Sequence, residues 1–156
     1  MESKREWFEM AVALLPAELA PFVDLRYSER AEYCHSIFRG VGYAEVPERR
    51  YEFVFVDGPS TMGFDGTRAF DFDILNVIKR ADWPVRGLVD QRIGTMYVLE
   101  KILGHCVTYD ALRLLGIVGP CTAADIGSEI GAAVIRRRGD RLELDQLRQF
   151  DQRPPA

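Results

Sequence analysis

The chain has 156 residues, 47% of them hydrophobic and 28% charged. That size and composition suit one globular domain burying roughly 70% of its unfolded surface, and they exclude a wholly disordered chain. Twenty Lys and Arg stand against 24 Asp and Glu, a net charge of −4, so no overall basic field draws the protein to nucleic acid. Three widely spaced cysteines, Cys34, Cys106 and Cys121, exclude a closed disulfide framework and lack the paired spacing of a zinc site. No apolar run approaches the roughly 18 residues of a membrane span, and the acidic start Met1–Glu6 is no secretory signal. A reduced, cytoplasmic protein with neither nucleic acid nor membrane as a partner is expected.

In chain order, Ser3 and Glu6 predict a capping box that opens a helix with Trp7, Met10, Ala11 and Leu14 at helical spacing, closed by Pro16. Phe22 to Tyr27 reads as a short strand. Ser28 caps a weak helix through Ile37, and Gly40-Val41-Gly42 breaks it. Tyr51 to Val56 is a β-branched and aromatic run that stops at Asp57-Gly58-Pro59, the pattern of a strand covered on both faces. A Gly-rich loop spans Ser60 to Thr67. Asp71 or Asp73 then opens a helix carrying Ile74, Leu75, Val77 and Ile78 that ends near Asp82. Val85 to Val89 is a strand ended by Asp90-Gln91-Arg92, and Gly94 to Leu103 a helix with Gly104 past its end. Val107 to Leu115 reads as a strand. Ala132 to Arg138 pairs with Arg141 to Leu144 around Gly139-Asp140 as a hairpin. This alternation predicts an α/β fold whose mostly parallel sheet has an antiparallel edge. Residues 1–150 form one domain and 151–156 a flexible tail.

Two of these strands end in an acid followed by a loop. Ligands of open α/β sheets bind outside the carboxyl ends of strands, so Asp57 and Asp90 are expected to point into one crevice, and Gly58 leaves room beside it. The competing reading makes both acids turn or helix caps.

The run Y-E-F-V-F-V-D-G-P at Tyr51 to Pro59, a helix, and then L-V-D-Q-R at Leu88 to Arg92 resemble the fourth and fifth strands of class I S-adenosylmethionine-dependent methyltransferases. The late strands and hairpin resemble the antiparallel pair that ends that fold, and Glu2 to Trp7 resembles the end of its second strand. The resemblance implies a Rossmann-like three-layer sandwich of order 3-2-1-4-5-7-6. The family's glycine-rich loop has no counterpart here, since neither Gly63/Gly66 nor Gly116/Gly119 lies between a buried strand and an opening helix. The chain therefore reads as N-terminally truncated relative to the family. It is expected to re-pair its strands, borrow strands as a homodimer, or expose edges.

Position by position, the resemblance gives Glu2 the ribose hydroxyls of S-adenosylmethionine and places Tyr27 and Ser28 near the adenine. Asp57 with Gly58 would lie beside the methyl donor, Asp57 orienting or deprotonating an acceptor hydroxyl. Asp57, Asp90 and Gln91 copy imperfectly the Mg²⁺ set of some members, with Gln where Asn belongs, and no metal is assigned. The implied reaction is methylation of an oxygen or nitrogen on a small molecule, a carbohydrate being preferred; the alternative is a non-catalytic interaction or structural module.

Other features have plainer readings. Asp71-Phe72-Asp73 matches the D-x-D of some glycosyltransferases, but acids opening a helix favour its dipole. His35 and His105 are the two histidines; either suits a general base, with capping the simpler role for His105. Arg136-Arg137-Arg138 guards a predicted edge strand. Trp7 and Trp83 are expected in the core.

Overall fold

The computed structural model describes residues 1–110 and 112–126 with their side chains, and the backbone of strands 134–138 and 141–145. Helix α1 (Arg5–Leu14) is followed by strands β1 (Arg30–His35), β2 (Phe38–Tyr43), β3 (Phe53–Val56) and β4 (Phe70–Asp71). Helix α2 (Asp73–Arg80), β5 (Val85–Asp90), α3 (Ile93–Leu103), β6 (Val107–Asp110), β7 (Leu115–Cys121), β8 (Val134–Arg138) and β9 (Arg141–Asp145) complete the order. The protein is a mixed α/β fold. Its strands divide into two mixed sheets, β4-β2-β1-β8-β9 and β3-β5-β7-β6, where one mostly parallel sheet was expected. The parallel pairs are β3–β5 and β2–β4.

The strand runs ending at Asp57 and Asp90, and the two helices after them, lie where their patterns place them. β3 and β5 pair in parallel from Phe53↔Arg86 to Val56↔Val89. β7 inserts between β5 and β6, antiparallel to both. Gly87 and Gly116 are bare where Ile74 of α2 and Met96 of α3 press on the sheet. Gly87 shares a face with Val89, which pairs with Gly116, so both helices cover the same face. Val85, Val89 and Val118 are buried there against Ile74, Leu75, Ile78, Leu99 and Leu103. The opposite face carries Phe55, Leu88 and Ile117 in register across three strands. Phe53 and Phe55 are 55% and 57% exposed, so β3 is covered on one face and not, as its apolar run suggested, on two.

The segment read as a helix from Ser28 to Ile37 is instead β1, joined to β2 by the two-residue turn Ser36-Ile37. Ala31, Tyr33 and His35 alternate into the protein interior, and Ser36 adopts φ 53°, the backbone sign that two-residue hairpins favour. Gly40 and Gly42 do not break a helix; they thin a strand. A Cβ at Gly40 would lie 2.5 Å from the Phe72 ring, and one at Gly42 would lie 2.6 Å from Asp73 Oδ1.

Several other expectations are corrected. The Ser3/Glu6 box does not form: α1 starts at Arg5, its cap residue Lys4 makes no side-chain cap bond, and Glu2 Oε1 accepts the Ser3 and Lys4 N–H groups instead. Trp7 is exposed, and α1 buries none of its residues. Phe22 to Tyr27 is not a strand; Ala20–Phe22 is a 3₁₀ turn, and only Tyr27 makes a bridge, parallel to Glu2. Val107 to Leu115 divides into β6 and the start of β7, because the chain reverses after Asp110, whose carboxylate takes the N–H groups of Leu112 and Arg113. The hairpin of β8 and β9 forms, but β8 joins β1 in the five-stranded sheet. Arg136 to Arg138 thus lie on an inner strand, with β9 at the edge. The Gly139-Asp140 turn and the 151–156 tail lie outside the described residues.

Candidate functional site

Because β3 and β5 are parallel and in register through Val56↔Val89, Asp57, just past β3, and Asp90, the last residue of β5 and still paired with Leu115, follow at neighbouring strand ends. Beside the β3 end a cleft of about 400 Å³ is lined by Met1, Tyr43, Phe55, Asp57, Gly58 and Asp73, among others. The Tyr43 hydroxyl donates to the Met1 carbonyl at 2.9 Å, and a Cβ at Gly58 would stand 3.2 Å from that hydroxyl oxygen. Asp90 is half-buried at the same strand end but does not line the cleft.

The glutamate and the two residues expected near the nucleoside also come together. Glu2 N–H donates to the Arg26 carbonyl and Ser28 N–H to the Glu2 carbonyl, both at 3.0 Å, which is the parallel bridge to Tyr27. Their side chains are largely engaged elsewhere. The Ser28 hydroxyl accepts from Glu45 N–H at 3.0 Å and donates to the Glu29 carbonyl at 3.2 Å. The Tyr27 ring lies under the Arg5 guanidinium at 4.3 Å. Glu2 engages its neighbours through Oε1.

The strongest electrostatic features are two acids, Asp71 and Asp73, whose sequence setting favoured a helix-dipole role over a D-x-D motif. Asp71 is fully buried on β4. It accepts from Arg92 Nη1 at 3.1 Å on both oxygens and from Thr95 Oγ1 at 2.9 Å. Burial still outweighs these partners and pushes its carboxyl up to about 6. Asp73 does open α2, but it faces the cleft while buried. Tyr43 N–H donates to its Oδ1 at 2.9 Å, whereas Oδ2 has no hydrogen-bond partner. Desolvation, with the Asp71 charge adding to it, pushes Asp73 up to about 7. Burial first, then the Asp73 and Glu2 charges, hold the Tyr43 phenol above its usual range.

Arg92 ties these parts together. Beyond Asp71, its guanidinium donates to the Pro59 carbonyl at 2.9 Å and to the Asp57 carbonyl at 2.5 Å. It thereby fixes the loop on which Asp57 and Gly58 stand. A carboxyl that titrates near neutrality can take or give a proton, and the unpartnered Oδ2 of Asp73 is buried behind the cleft wall. Asp71, Asp73, Arg92 and Tyr43 were not legible as site residues. The available signal was Phe70-Asp71-Phe72-Asp73 itself, acids interleaved with two large apolar side chains that are both buried.

A second cleft, about 440 Å³, lies behind Tyr51 against Arg49, Arg50, Arg80 and Trp83; it holds none of the strand-end acids. No described helix is long and apolar enough to cross a membrane. Compared with protein-family models, with curated proteins and with solved structures, the chain matches none.

Proposed function

We propose that the chain is a Rossmann-like domain of the class I S-adenosylmethionine-dependent methyltransferase type, with the cleft at the β3 end holding a small-molecule acceptor. One observation carries the reading: the sheet β3-β5-β7-β6, with β7 antiparallel to both neighbours. This is the 4-5-7-6 half of the order that the sequence resemblance implies, and its first two strands are those whose residues suggested it. The parallel bridge of Glu2 to Tyr27 fits the neighbouring second and third strands of that order.

The residues fit the two ends of such a site unequally. At the acceptor end, Asp57 on the cleft wall would orient a hydroxyl or amine, with the buried Asp73 behind it. At the nucleoside end, Tyr27 and Ser28 do not fit the adenine role, since one ring face is taken by Arg5 and the hydroxyl is spent on backbone. Nucleoside binding rests on Glu2 alone. S-adenosylhomocysteine titrated into the chain by calorimetry tests the reading. Binding that weakens at least about tenfold in Glu2→Ala and in Asp57→Ala supports it. Binding unaltered in both variants, or no heat up to about 1 mM, overturns it.

A second reading, a non-catalytic interaction module, is favoured by the Phe55-Leu88-Ile117 row on the open sheet face. An apolar row at an exposed surface marks contact surfaces rather than solvent faces.

A further inference from the structure

We propose that His105, Cys106 and Asp125 form a Zn²⁺ site. The three residues are brought together by two tight turns. Gly104, at φ 55°, ends α3, and the 3₁₀ turn Gly104–Cys106 turns His105 and Cys106 off the helix before β6 begins. On the adjacent strand β7 ends at Cys121, and a second 3₁₀ turn, Ala123–Asp125, follows. The antiparallel register Val107↔Val118 lays these two strand ends against each other.

The donor atoms of His105, Cys106 and Asp125 all lie within 4.8 Å of one another, and the His105 ring nitrogen Nε2 is 3.7 Å from Cys106 Sγ. An ion at the centre of such a triangle is at most about 2.8 Å from each donor. Zn²⁺ takes sulfur at about 2.3 Å and nitrogen or oxygen at about 2.0–2.2 Å, so each ligand closes by less than about 1 Å. Asp125 is already held in place: its Oδ2 accepts Thr122 N–H at 2.7 Å and Thr122 Oγ1 at 3.1 Å, the kind of outer support that orients a ligand carboxylate. One imidazole, one thiolate and one carboxylate select a borderline ion such as Zn²⁺ over Mg²⁺ or Ca²⁺, and three protein ligands leave the fourth position to water. On binding, the Cys106 proton passes to solvent as the sulfur–metal bond forms. Cys121, whose thiol interacts with that of Cys106, lies outside the set of three donors. Bound metal would clip the α3–β6 connection to the end of β7.

The test uses the full chain, kept reduced and stripped with chelator, then titrated with Co²⁺ as a coloured probe and with Zn²⁺ in competition. One Co²⁺ per chain, showing thiolate-to-metal charge transfer and displaced by Zn²⁺, is expected. Cys106→Ser should abolish the charge-transfer band, and His105→Ala and Asp125→Asn should each weaken Zn²⁺ binding by more than the about 10- to 100-fold that loss of an outer-shell partner costs. Cys121→Ser should keep the band. His105 is exposed, so its variant folds whatever the others do, and circular dichroism checks each. Absence of stoichiometric binding, a band that survives Cys106→Ser, or a band that depends on Cys121 instead would overturn the assignment.

Discussion

Asp73→Asn is the sharpest perturbation of the candidate site. In the folded chain Asp73 ionises only near pH 7, against an ordinary value of 3.8. A carboxyl raised on folding contributes stability that is fully present below its unfolded pKa and is lost as pH rises through the folded value. The separation is worth about 4 kcal/mol in full, of which about 3 kcal/mol falls between pH 5 and pH 8. Asparagine keeps the Oδ1 acceptor for Tyr43 N–H and removes the charge, but it places an NH₂ where Oδ2 has no partner. That unpaired donor costs about 1–3 kcal/mol at every pH. Relative to the parent, the variant is therefore expected to gain about 3 kcal/mol on going from pH 5 to pH 8. Asp71 titrates in both proteins and cancels to first order. Urea unfolding followed by circular dichroism at the two pH values reads the difference directly. Parallel pH dependence in parent and variant would refute the buried-carboxylate reasoning.

Three further outcomes are expected. Arg92→Ala strands Asp71 without its ion partner and should cost about 3 kcal/mol at pH 8 but less at pH 5, where Asp71 is protonated; equal loss in urea melts at both would contradict the pairing. Gly40→Ala drives a methyl group into the buried Phe72 ring and should lower stability by about 1–3 kcal/mol in the same assay. Phe55→Ser, at an exposed position, should change stability by less than about 0.5 kcal/mol while reducing self-association in sedimentation velocity, and an unchanged sedimentation profile would count against the open face as a contact surface.

The parts of the fold set by local period were legible: the runs at Tyr51–Val56 and Val85–Val89, and the helices carrying Ile74–Ile78 and Met96–Leu103. The β1–β2 hairpin was not. Glu29, Arg30, Ala31 and Glu32 are good helix formers, and the turn at Ser36-Ile37 has none of the Asn or Gly that announces a two-residue hairpin. What decides it is tertiary, with Glu32 reaching Arg39 across the hairpin at 2.6 Å and Ala31 and Tyr33 buried under Phe72. Topology put Asp57 and Asp90 at neighbouring strand ends, but Asp57 lines the cleft and Asp90 does not. The buried pair Asp71 and Asp73 was not foreseen, because burial of a first-turn acid depends on Gly40 and Gly42 some thirty residues earlier. The cysteine–histidine cluster escaped for the same kind of reason, since its ligands lie on separate turns that only the β6–β7 register unites.

Arg92 fastens the loop after β3, part of the four-stranded sheet, to β4, part of the five-stranded one. If the sheets parted at this end, a carboxylate would be left without its counter-charge in apolar surroundings. The guanidinium is thus a charged clasp between the two sheets, and its loss exposes both the buried acid and the loop that carries Asp57.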